Sequence, residues 1–172
     1  MNHEYIRWKK LFLFCLGIAI ASAFCMKWME NDLWVENERF TIIGLEIYYT
    51  KEKVIAIFSS INDHVKTILR YHLTFDFAFM AGVYPGIAAL CMMARAKRNS
   101  AILKRTLFIA ALLQLIAWAC DVAENYFLFK WLIQKQIGEE FLFYHIIVFF
   151  KWFIALTGAF ISIPLLLFRR RV

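Results

Sequence analysis

Three carboxylates stand in stretches of this chain that are otherwise apolar: Asp76, Asp121 and Glu124. His145 and Lys151 stand the same way in the last such stretch. An ionisable side chain in hydrocarbon costs on the order of 3 kcal/mol unless it faces a partner or a wet cavity. Their spacing gives them common faces. Asp121, Glu124 and Asn125 follow i, i+3, i+4, so they share one side of a helix, and Gln114, Ala117 and Trp118 continue it. Asp76, Met80, Val83, Tyr84 and Ile87 line a second helix. Tyr144, His145, Val148, Lys151, Ala155, Gly158, Ala159 and Ser162 form a narrow stripe on a third, and its small residues read as a packing seam. Turned towards each other, these faces gather three carboxylates, an ammonium, an imidazole, an amide and the Tyr84 phenol.

Three kinds of chemistry fit that set. With carboxylates outnumbering the lysine, a cavity favours positive charge, so the leading expectation is binding or transport of a small cation, a proton or a cationic amphiphile. A carboxyl with His145 is also an acid–base pair, which a membrane-embedded enzyme acting on a lipid or isoprenoid could use. Alternatively Lys151 with Asp121 is a buried ion pair that fixes two helices in register, as in a structural or accessory subunit. All three remain open, and whether the protein is an enzyme is undecided. No metal is expected, because Lys151 opposes one and no paired-histidine spacing occurs; His72 is expected at the surface. No cofactor motif, serine triad or glycine-rich phosphate loop is present.

The elements that must carry these residues are membrane spans. The chain is 62% hydrophobic, against about 45–50% in soluble domains, and the excess sits in four blocks at about 9–29, 73–94, 107–129 and 141–168. The expected fold is an all-α integral membrane protein: one four-transmembrane-helix bundle with a partly structured outer loop between helices 1 and 2. Trp8 and Trp28 flank the first block as interfacial anchors, and Gly17, Ala21 and Cys25 form a small-residue stripe on it for close helix contact. A cleaved signal peptide ending at Ala21-Ser22-Ala23 is the rival reading of that block. In the loop, 30–72, the β-branched and aromatic run 39–49 suggests a strand. Val54, Ile57, Phe58 and Ile61 recur at helical spacing, giving an amphipathic helix over 52–61. Asn62 or Asp63 is a good N-cap for the next helix. Pro85 with Gly86 should kink or loosen that helix.

The net charge of +7 is explained by topology. Arg7, Lys9 and Lys10 precede the first block; Arg95, Lys97, Arg98, Lys104 and Arg105 join blocks two and three; Arg169, Arg170 and Arg171 follow block four. Basic residues gather on the cytoplasmic side, which puts both termini inside a plasma (inner) membrane and the polar residues in the outer half. No basic surface is left for nucleic acid. The expected partners are the bilayer, a small cationic or amphiphilic ligand, and a membrane protein docking on the outer loop. Cys15, Cys25, Cys91 and Cys120 show no paired spacing and read as small buried hydrophobes, with a Cys25–Cys120 bridge left open.

In layout alone (four spans, a long first outer loop, acids within the spans) the chain resembles the emopamil-binding and sigma-2-like four-span proteins. That likeness implies a cavity with buried carboxylates that binds or isomerises sterol-like amphiphiles. No motif aligns residue by residue, so no site residue is carried over.

Overall fold

The computed structural model describes residues 3–167. The basic triplet Arg169–Arg171 and residue 168 of the last expected span lie outside them. Four helices are long and apolar enough to cross a membrane: α1 (His3–Met29), α3 (Asp63–Ala96), α4 (Ala101–Gln134) and α5 (Glu140–Leu167), with a short α2 (Lys51–Ser60) in the loop before α3. This is an all-α four-helix bundle. α3 is its axis, packing on α1, α4 and α5, while α4 packs on α5.

Local chemistry fixes where the helices start and stop. Thr50, Asn62 and Ser100 are the N-caps of α2, α3 and α4, their side-chain oxygens accepting from the amides of Lys53 (3.4 Å), Val65 (2.9 Å) and Leu103 (3.4 Å); each satisfies an amide with no partner inside the helix. α3 therefore starts ten residues before its apolar block. α4 ends where Lys135 turns left-handed (φ 54°) and donates its amide to the Trp131 carbonyl at 2.8 Å. Pro85 does not divide α3, which runs unbroken from Asp63 to Ala96.

The small stripe of the first span faces the other way from the expectation. Gly17 and Ala21 are exposed, and a side chain added at Gly17 would meet nothing within 4 Å. The close contact uses Cys15 and Ala19, against Gly82 of α3. A Cβ on Gly82 would lie 2.6 Å from the Ala19 amide nitrogen and 2.7 Å from the Cys15 carbonyl. The glycine that admits the close approach thus belongs to α3, so α1 needs no small-residue run of its own. All four cysteines are free, Cys25 and Cys120 included.

The 30–62 segment is a folded cap. A two-residue antiparallel hairpin, β1 (Trp34–Val35) with β2 (Glu38–Arg39), turns through Glu36 and Asn37, both at positive φ, which is the backbone of a type I′ turn. Lys53 of α2 donates to the Glu38 carboxylate and holds it below the usual carboxyl range. The strand expected over 39–49 is not there beyond Arg39. Residues 42–48 coil instead, ending in a π-helical turn at Gly44–Tyr48. Coiling turns Ile42, Leu45 and Glu46 together into the bundle, all three buried. The expected amphipathic helix is α2, with Val54, Ile57 and Phe58 buried. They join Leu33, Phe40, Leu69, Leu73, Leu128, Trp131 and Tyr144 in one apolar cluster. Full burial of such a side chain from water is worth about 1.5–3 kcal/mol, a force that acts on the cap but not between helices in lipid. Below the cap the bundle depends on close packing and polar contacts.

Candidate functional site

The polar contacts centre on Lys151. Its ammonium lies 3.0 Å from Asp121 Oδ1 on α4, 2.6 Å from Glu124 Oε2 one turn further along α4, and 3.2 Å from Glu46 Oε2 in the cap. The Glu124 contact is oblique: Oε2 is within ion-pair distance yet lacks an aligned hydrogen bond. Lys151, Asp121, Glu124 and Glu46 are all buried. The Tyr84 hydroxyl donates to Asp121 Oδ2 at 2.7 Å, and Trp152 Nε1 donates to Glu46 Oε2 at 3.0 Å. The ammonium thus sits at the focus of three carboxylates.

Asp76 stands beside this group without joining it. Asn125 Nδ2 donates to its Oδ2 at 2.7 Å, and it forms no ion pair among the described residues. Four carboxylates on one lysine leave three negative charges uncompensated when all are ionised. A buried charge without a counter-charge is strongly disfavoured, so the group is stable only with some carboxyls protonated or with further positive charge beside them.

An open cavity of about 250 Å³ is bordered by α1, the cap, α3, α4 and α5. Glu46, Asp76, Tyr84, Asp121 and Lys151 supply polar groups to its lining, while Ala23, Met26, Ile42, Phe79, Val83 and Ala155 supply apolar ones. His72, Glu30 and Lys27 also line it. A larger depression of about 630 Å³ is bordered only by His3, Glu4, Arg7, Trp8 and Leu11 of α1; with a single element on its border it gathers no convergent groups.

Of the residues singled out in the sequence, Asp76, Tyr84, Asp121 and Lys151 line the cavity. Glu124 and Asn125 are buried behind it, each holding a residue that does line it. His145 is separate: half-buried, it packs edge-on to Phe141 (ring centroids 4.5 Å apart) and hydrogen-bonds the Glu46 main chain. It secures the cap and does not face the cavity. His72 is not at the surface; it is 4% exposed, and its Nδ1 has no hydrogen-bond partner. Its helix begins at Asp63, so position 72 lies beneath the cap rather than at a helix end.

Glu46 and Trp152 were not anticipated. The signal for Glu46 was present, since it is the one acid in the run IIGLEIYY. The rule that exposed Asp121 applies equally to a loop that folds back on the bundle. No protein-family model, curated protein or solved structure matches this chain. The likeness to the emopamil-binding proteins therefore remains one of layout.

Proposed function

We propose that this protein binds, and in its cellular setting transports, a small organic cation with an apolar portion. The observation that carries the reading is the cavity: Glu30, Glu46, Asp76 and Asp121 line it with Lys27 and Lys151, against apolar walls. Asp76 is the anchor for an incoming ammonium, because it is the acid in the group that no lysine or arginine neutralises. Asp121, already held by Tyr84 and Lys151, adds field without giving up its partners. Among the cations considered, the apolar wall favours an amphiphile, since a proton or bare metal ion gains nothing from Met26, Phe79 or Val83. The distribution of basic residues further supports a plasma-membrane protein with cytoplasmic termini and the cavity in the outer half of the bilayer.

The test is a titration of n-octylammonium, octan-1-ol and octanoate into the protein in phosphatidylcholine nanodiscs. The ammonium should bind and the other two should not. Asp76→Asn should weaken ammonium binding roughly tenfold or more, the worth of a charge-assisted hydrogen bond. Equal binding of the three probes, or unaltered binding by both Asp76→Asn and Asp121→Asn, would end this reading. The enzyme alternative rests on His145 beside a carboxyl; the packing of His145 on Phe141 and the Glu46 main chain favours the binding reading over it.

A further inference from the structure

His72 has no part in the reading above. It lies one turn before Asp76 on α3, so the two side chains project from one helix face with about 5–6 Å between their Cβ atoms. Both line the cavity. The ring is 4% exposed with Nδ1 unpaired, and its neighbours Leu69 and Leu73 belong to the apolar cluster under the cap. Packing alone would be served as well by a phenylalanine there. A half-turn of the ring exchanges Nδ1 with a carbon at constant volume, so a nitrogen can be presented to the cavity without moving the backbone.

We infer that the occupant is an amino alcohol, whose ammonium sits on Asp76 and whose neighbouring hydroxyl sits on the His72 ring. This rests on the reading that the cavity takes an organic cation. A hydroxyl suits the place because it both donates and accepts, and so pairs with either neutral tautomer of imidazole. A two-carbon spacing between nitrogen and oxygen lets one ligand reach side chains a helical turn apart, and its tail lies on Met26, Phe79 and Val83. That chemistry is found in a free long-chain amino alcohol; an ethanolamine lipid headgroup has the ammonium, but its neighbouring oxygen is esterified to phosphate and cannot donate.

The experiment compares 2-aminooctan-1-ol with n-octylamine on the parent protein and on His72→Phe, in phosphatidylcholine nanodiscs. On the parent the amino alcohol should bind about fivefold tighter, the worth of one net hydrogen bond. In His72→Phe that advantage should vanish while n-octylamine binds as before, which also shows the variant is folded. Equal affinities on the parent, a comparison that needs no variant, or an advantage that persists in His72→Phe would overturn the assignment of His72 and leave the cation reading standing. If neither amine binds, both fall. Repeating the titration with phosphatidylethanolamine present is the second check: no competition is expected, and displacement of the amino alcohol by this lipid, which has the ammonium without the hydroxyl, would overturn the hydroxyl assignment.

Discussion

At the scale of single residues, the consequence turns on which charge is removed. Lys151 is the only cation among three buried carboxylates. Lys151→Met should therefore cost about 3–5 kcal/mol, the usual result of leaving buried charge without its partner. Asp121→Asn should cost clearly less, because Glu46 and Glu124 remain on the ammonium and Tyr84 can donate to the amide oxygen. Denaturant unfolding in mixed micelles ranks the two, and an Asp121→Asn loss as large as that of Lys151→Met would show that the lysine depends on that single pair. The residues in this ranking differ in how far the sequence betrayed them. Asp121, Glu124 and Lys151 were legible because a charge in an apolar span has few innocent explanations. Glu46 carried a weaker form of the same signal, one acid in an apolar run, because a carboxylate in a loop is ordinarily solvated.

At the scale of elements, two glycines that look alike in sequence behave oppositely. Gly82→Ala places a methyl against the α1 backbone and should cost about 1–3 kcal/mol, as overpacking does. Gly17→Ala meets open space and should change stability by less than about 0.5 kcal/mol. Thermal unfolding of both variants in one detergent checks the pair; equal losses would mean that α1 does not pack on α3 at Gly82. The cap gives a second element-scale prediction. Glu46 is tied to Lys151 and Trp152, so Glu46→Ala should speed hydrogen exchange across residues 40–49 and leave the four long helices protected. Unchanged exchange there would show that the apolar cluster alone holds the cap. Periodicity made α2 and the N-cap at Asn62 readable. It could not reveal the coil at 42–48, because a β-branched, aromatic run favours a strand until the bundle below it offers something to turn towards.

At the scale of the molecule, α3 with 34 residues is about 51 Å long at 1.5 Å per residue, enough to put the cap and the basic α3–α4 connection on opposite sides of a bilayer. Single cysteines at exposed positions, Asn37→Cys and Asn99→Cys, in a background without the native thiols, should react with an impermeant thiol reagent from opposite faces: Asn37→Cys from outside and Asn99→Cys only after the cytoplasmic face is opened. Labelling of both from one side would refute the topology. By itself the sequence determined the class and the four helices, because hydrophobicity, helical period and caps are properties of neighbouring residues. Only the tertiary structure decided that Glu46 descends to Lys151, that His145 leaves the site, that His72 enters it and that Asp76 stays without a cation. Those outcomes depend on which faces meet once the cap closes over the bundle, and no spacing along the chain encodes that meeting.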